Sequence, residues 1–132
     1  MTANLTPDLV VSNVEQSVAF YREALGLSEE DRVAGPEGPI WAMLSRNGFR
    51  LMVESVQAQN PSIKALFAKQ GPSPRATITL YLSTENVAGE EARLKRAGVA
   101  YEGPVTRPYG MKEVAFADPD GYSWTIGEKV SD

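Results

Sequence analysis

The chain has 132 residues, 42% hydrophobic and 23% charged, with a formal net charge of -4 and neither cysteine nor histidine. That is the composition of one globular domain with enough length to bury a core, and it argues against disorder. Ser-His and Cys-His catalysis, disulfides and thiolate or imidazole metal ligation are excluded outright; no basic cluster invites nucleic acid, and no apolar run approaches a membrane span.

Met1 to Asp8 carries no basic n-region and no apolar h-region, so a cytoplasmic address is the default expectation. Leu9-Val10-Val11 predicts a strand. Asn13 is placed to cap the helix that follows, with Gln16 as its capping-box partner, and Val18, Ala19, Tyr21, Ala24 and Leu25 recur at helical spacing. Gly26 stops that helix. Residues 28–34 form a polar strand candidate, and Gly35-Pro36-Glu37-Gly38-Pro39 is a turn by composition. Ile40 to Ser45 and Phe49 to Glu54 read as two strands joined by the hairpin signal Asn47-Gly48.

Residues 56–74 form a polar connector with one helical turn around Ile63 to Phe67, ending in Gly71-Pro72-Ser73-Pro74. From Ala76 to Ser83 the pattern alternates: Ile78, Leu80 and Leu82 face one way, and Thr77, Thr79, Tyr81 and Ser83 the other. Asn86 caps a second helix bearing Ala92, Leu94 and Ala97, which Gly98 closes. Strands are predicted from Val99, over Met111 to Ala117, and over Tyr122 to Ile126, with Asp118-Pro119-Asp120-Gly121 as the turn between the last two.

The two halves repeat. Asn13 and Asn86 lie 73 residues apart, as do Asn47-Gly48 and Asp120-Gly121. At that offset Phe49, Leu51 and Val53 align with Tyr122, Trp124 and Ile126. Neither half can bury both its helix face and its sheet face alone. The expected fold is therefore α+β: two βαβββ modules whose mixed sheets curl around a shared cavity, with the helices outside. Module 1 covers 1–55, the connector 56–74 and module 2 75–132, all within a single domain. Met52 and Thr125 would lead the cavity-facing rows.

Leu9 to Val14, followed by Val18-Ala19-Phe20-Tyr21-Arg22 and Leu25-Gly26, resembles the opening of the vicinal oxygen chelate superfamily of glyoxalase I, bleomycin-resistance and extradiol dioxygenase proteins. Asp118-Pro119-Asp120-Gly121 resembles its closing motif. The resemblance spans nearly the whole chain and implies paired βαβββ modules and a homodimer. Metalloenzymes of that family carry four His, Glu or Gln ligands, at positions that fall here on Thr6, Met52, Thr79 and Thr125. Three hydroxyls and a thioether are a poor donor set for a divalent ion. The expectation is thus the family scaffold with no metal and no cofactor.

The catalytic candidates are Glu54 and Glu113. Glu54 follows Met52 on the same strand face and could act as a base or meet a cation, or simply sit at a solvated strand end paired with Arg50. Glu113 lies mid-strand beside Val114 and Ala115; facing a dry concavity it would carry a raised pKa, and otherwise it faces water. The ligand-binding candidates are Trp41, Met43, Arg50, Met52, Thr79, Tyr81, Tyr109, Met111 and Thr125, since aromatic and methionine side chains suit an adaptable apolar pocket. For Trp41 and Met43 ordinary core is the competing reading. Asp8 and Glu128 could join the two glutamates in an all-oxygen site for Mg²⁺ or Ca²⁺, an idea the spacing does not support. Glu90 to Lys95 reads as a solvated mixed-charge helix face.

Three functions compete. The first is a metal-free protein that sequesters a small, partly apolar compound, cationic or neutral by the acidic charge balance, as bleomycin-resistance members of the resembled family do. The second is a lyase or isomerase using a cavity carboxylate or a bound divalent metal. The third is a non-catalytic interaction module with a closed cavity.

Overall fold

In a computed structural model, which describes residues 2–70 and 75–131, the chain forms eight strands and three helices. They are β1 (Asp8–Val11), α1 (Val14–Leu25), β2 (Ser28–Gly35), β3 (Gly38–Arg46), β4 (Phe49–Ser55), a short 3-10 turn (Val56–Ala58), α2 (Pro61–Gln70), β5 (Arg75–Ser83), α3 (Val87–Ala97), β6 (Tyr101–Thr106), β7 (Met111–Ala117) and β8 (Tyr122–Lys129). The strands make two four-stranded mixed sheets of the same topology, ordered β1-β4-β3-β2 and β5-β8-β7-β6. In each, one parallel pair, β1 with β4 or β5 with β8, joins an otherwise antiparallel sheet. The chain divides into two compact units, one built on each sheet.

The helix boundaries follow the capping logic. Asn13 Oδ1 accepts from Gln16 N at 2.9 Å, and Asn86 Oδ1 accepts from Gly89 N at 3.0 Å, each satisfying a backbone donor that the first helical turn leaves free. Gly26 and Gly98 end α1 and α3 in the left-handed conformation (φ 69 and 72), which costs a glycine little.

Each sheet has one buried face. In the first, register aligns Leu9 with Val53, Ala42 with Val53 and Leu44 with Leu51, and these side chains are buried together with Val11. In the second, Val114 pairs with Ile126, and Phe116 stacks on Trp124 with ring centroids 6.3 Å apart. Here α3 packs against β7 and β8 with Leu94 fully buried. Each buried aliphatic or aromatic side chain contributes about 1.5–3 kcal/mol of transfer free energy. Because strand side chains alternate, the residues between these positions are all placed on the opposite, open face.

The Asp118-Pro119-Asp120-Gly121 turn has a structural job. Asp118 is buried, and its Oδ1 accepts from Asp120 N at 2.9 Å and Tyr122 N at 2.8 Å, an Asx-type turn that fixes the β7–β8 register.

Several sequence expectations need correction. The single helical turn expected near Ile63 is a ten-residue helix, α2, capped by Asn60, whose Oδ1 accepts from Ile63 N at 2.9 Å; its weak amphipathicity hid it, since none of its residues is buried. Ala19 is exposed, and Ser17 takes its place in the buried stripe of α1. Ile78, expected on the buried row of β5, is 72% exposed where the β5–β8 register is irregular. The Glu90 to Lys95 face is not simply solvated: Glu90 is buried and meets Arg93 at 3.0 Å. The Gly71-Pro72-Ser73-Pro74 turn and the Thr77 side chain lie outside the described residues.

Candidate functional site

On the first sheet the open face gathers Trp41, Met43, Arg50, Met52 and Glu54. Trp41 pairs with Glu54, Met43 with Met52, and Asp8 with Met52. Trp41 and Met43 are half-buried and lie opposite the core row of Ala42 and Leu44. The expected Arg50–Glu54 pair does not form. Arg50 instead reaches Glu30 at 3.2 Å, because β2 brings Glu30 to the same open face. Glu54 Oε2 accepts from Gln59 Nε2 at 3.0 Å, and Glu54 shares a hydrogen bond with Asp8.

Two carboxylates can share a hydrogen bond only if one keeps a proton. Partial burial, then the hydrogen bond and the charge of Glu54, push Asp8 up to about 7. The same hydrogen bond, with that from Gln59, lowers Glu54. The pair therefore titrates as a unit.

Two cavities open on this first unit. One of about 570 Å³ is lined by Thr6, Glu30, Ser45, Phe49 and Arg50 among others. The other, about 790 Å³, lies between the start of α1 and the β2–β3 turn, with Asn13, Glu37, Ile40 and Gln57 in its wall, and holds none of the sequence-predicted site residues.

On the second sheet the open face carries Thr79, Tyr81, Met111, Glu113 and Thr125. Thr79 Oγ1 shares a hydrogen bond with Ser123 Oγ at 3.0 Å, and Thr125 Oγ1 lies 3.5 Å away. Glu113 is only 6% exposed and is surrounded by donors. Tyr81 Oη and Tyr109 Oη each donate to its Oε2 at 2.7 Å, and Arg107 Nε donates to its Oε1 at 3.3 Å. Burial alone would raise this carboxyl; the hydrogen bonds from Tyr81, Tyr109 and Arg107 outweigh it and hold Glu113 below its ordinary value. Of the two readings the sequence left open for Glu113, a dry face with a raised pKa or a face in water, neither holds: the residue is buried, and its three donors reverse the sign of the shift. Burial and the Glu113 bond push the Tyr81 phenol up to about 12, and the Glu113 bond also raises Tyr109.

Arg107 and Gly127 were not singled out by sequence reasoning. Gly127 faces Glu113 across the β7–β8 pair, and a Cβ there would collide with the Tyr81 hydroxyl. The repeat held the signal for Gly127, which stands 73 residues after Glu54: the second module has no side chain where the first has a carboxylate.

Thr6, Met52, Thr79 and Thr125 do not fit a divalent metal. They supply hydroxyls, two of them engaged with each other's neighbourhood, and a thioether that suits only soft ions. The all-oxygen alternative fares no better. Glu128 Oε1 accepts from Val87 N at 2.8 Å at the start of α3, Glu113 is saturated by its three donors, and Asp8 and Glu54 engage each other. Among the described residues no three His, Cys, Asp or Glu side chains gather as a metal site.

Known proteins place this scaffold. A search of curated proteins finds no significant match. Among solved structures, TnmS3, an antibiotic binding protein from Streptomyces sp. CB03234, superposes with a TM-score of 0.70 at 25% identity, covering 98% of this chain and 97% of its own. A bleomycin-binding protein complexed with bleomycin superposes at 0.68 with 21% identity, covering 96% and 98%. A bleomycin resistance determinant encoded on the transposon Tn5 gives 0.70 with 21% identity, covering 97% and 98%. The family model for the Glyoxalase/Bleomycin resistance protein/Dioxygenase superfamily matches residues 4–126, and the chain, with its two modules of one topology, belongs to that superfamily.

Proposed function

We propose that this protein binds and sequesters a small, partly apolar compound and does so without a transition metal. One observation carries the reading: each sheet's open face offers apolar and polarizable surface, Trp41, Met43 and Met52 on the first and Tyr81 and Met111 on the second, while the positions to which the family resemblance assigns the metalloenzymes' ligands are Met52, Thr79 and Thr125. The antibiotic- and bleomycin-binding neighbours are consistent with it. Glu30 is offset by Arg50, and the remaining negative charge of the Asp8–Glu54 pair on the first sheet's open face favours a cationic group on the ligand. A homodimer and a cytoplasmic location belong to the same proposal; among the described residues no helix is long and apolar enough to cross a membrane.

Native mass spectrometry with elemental analysis tests it, followed by calorimetric titration with bleomycin and a panel of cationic and neutral aromatic compounds. The expected result is a dimer with no stoichiometric transition metal that binds at least one compound and leaves it chemically unchanged. A stoichiometric metal would move the metalloenzyme reading to first place, and failure to bind any compound would favour the interaction module.

One observation keeps the lyase or isomerase reading alive. A carboxyl pushed up to about 7, as Asp8 is, suits general acid-base work near neutral pH. Glu113 suits it less, being lowered and fully engaged. Turnover of a panel compound that disappears in Asp8→Asn and Glu54→Gln, with binding retained, would establish that alternative.

A further inference from the structure

The Glu113 cluster is built from side chains. A buried carboxylate accepts at about four lone-pair sites and could draw its donors from the backbone. Instead two tyrosines from different elements converge on one of its oxygens, Tyr81 from β5 and Tyr109 from the turn before β7, each at 2.7 Å. Their hydroxyls are consumed, yet the residues stay 45% and 64% exposed, so the rings are what they present.

The arrangement depends on a gap. The strand order is β5-β8-β7, so β8 stands between Tyr81 and Glu113. Tyr81 is in register with Thr125, and Gly127 is the residue opposite Glu113. Tyr81 crosses β8 over Gly127, where a Cβ would strike the phenol oxygen and come within 3.2 Å of Met111 Cε. Tyr109 is held from the other side. Gly110 N donates to Arg107 O at 3.0 Å, Arg107 N donates to Met111 O at 2.8 Å, and Val130 N donates to Gly110 O at 2.9 Å, tying the turn to the end of β8.

We propose that Glu113 is a positioning residue of the ligand face: together with the gap at Gly127 it tethers Tyr81 and Tyr109 as a fixed aromatic pair, flanked by Met111, that takes a flat aromatic ring of the ligand. This rests on the small-molecule reading above and deepens it. Tyrosine offers a large, rigid surface with few torsions to freeze, and a tether at the hydroxyl freezes them before the ligand arrives. The thioether of Met111 adds a polarizable edge to the same surface. Since Arg107 offsets the charge of Glu113 and the two phenols occupy its Oε2, it is neither the counter-ion of a cationic ligand nor a base; its effect passes through the two phenols.

The probe is acridine orange, a flat aromatic cation, followed by fluorescence polarisation against the wild type, Glu113→Gln, the double variant Tyr81→Phe with Tyr109→Phe, and Gly127→Ala. Circular dichroism confirms that each variant is folded. The wild type should bind. Glu113→Gln and the double phenylalanine variant, which keep both rings and loosen the tether, should each weaken binding roughly tenfold. Gly127→Ala should do the same by displacing Tyr81. An ultraviolet pH titration of phenolate absorbance reads the tether itself: in Glu113→Gln the Tyr81 and Tyr109 transitions should fall toward the ordinary phenol range while that of Tyr101, held by Glu91, stays high, and dye binding should weaken in the same variant. Equal dye affinity in the wild type and all folded variants overturns the proposal, as does an unchanged phenolate titration in Glu113→Gln. A wild type that binds bleomycin or another panel compound but not the dye overturns the aromatic pair and leaves the broader reading standing. A wild type that binds nothing overturns both.

Discussion

Replacing Asp8 by asparagine should make the protein more stable at alkaline pH and leave it nearly unchanged below about pH 4. Asp8 sits on β1, the edge strand of the first sheet, beside Met52 and hydrogen-bonded to Glu54. Its carboxyl is raised from 3.8 to about 7. A group raised in the folded state stabilises the fold fully below its unfolded value, and that contribution is lost as pH climbs through the folded value. At about 1.4 kcal/mol for each tenfold change in proton affinity, the full effect would be about 4 kcal/mol. Asp8 is exposed, however, and solvent screening reduces this to about 1 kcal/mol. An amide keeps a donor for Glu54 and cannot ionise. Urea unfolding of wild type and Asp8→Asn at about pH 3.5, below the unfolded value, and at about pH 8 should therefore give nearly equal stabilities at the lower pH and an advantage of about 1 kcal/mol to the variant at the higher. A difference between the two proteins that does not change with pH would refute the shared proton.

Other outcomes follow from single contacts. Asn86→Ala removes the acceptor for Gly89 N and should cost about 1 kcal/mol in chemical denaturation without altering the circular dichroism of the folded state. Asp118→Ala leaves the Asp120 and Tyr122 amides without their side-chain acceptor and should cost about 1–3 kcal/mol; a neutral result would mean that the Asp118-Pro119-Asp120-Gly121 motif is held by something other than this turn. Glu113 is lowered in the folded state, so its stabilisation is present above the unfolded value of 4.5 and lost as pH falls through the folded value. Glu113→Gln should accordingly narrow its stability deficit in acid, measured as a smaller gap from wild type at about pH 3 than at pH 7.

The fold was legible because each module advertises its ends. Asn13, Gly26, Asn86 and Gly98 mark helix boundaries through local backbone chemistry that works regardless of distant packing. Asn47-Gly48 and Asp120-Gly121 do the same for the hairpins. α2 was shortened to a turn because periodicity detects a buried stripe, and this helix buries none. The side of each sheet was legible for Met52, Glu54 and Thr125, which alternate with buried neighbours on β4 and β8. The partners were not. Alternation assigns a face but not a hydrogen bond, so Arg50 was assigned to Glu54 when β2 supplies Glu30, and Glu113 could not be matched with Tyr81, 32 residues earlier. Arg107 gave no signal because it sits in a turn whose path is set by its contacts with β7 and β8.

The repeat also explains how one scaffold carries two chemistries. Asp8 and Tyr81 occupy matching positions beside Met52 and Thr125, and Glu54 and Gly127 match two residues further along β4 and β8. On the remaining strand Trp41 faces Glu54, while Glu113 faces Gly127. The first module thus places its carboxylates on β1 and β4 and its aromatic ring on β3; the second reverses the arrangement, with the aromatic ring on β5, nothing on β8 and the carboxylate on β7. Reversal changes the electrostatics. Asp8 and Glu54 are adjacent acids that must share a proton or attract a cation, whereas Glu113 stays ionised, hydrogen-bonded by two phenols and offset by a guanidinium. Frames of one topology therefore carry a proton-sharing acid pair on one sheet and a phenol-bound carboxylate on the other, so substitutions at matching positions of the two modules should have unlike effects.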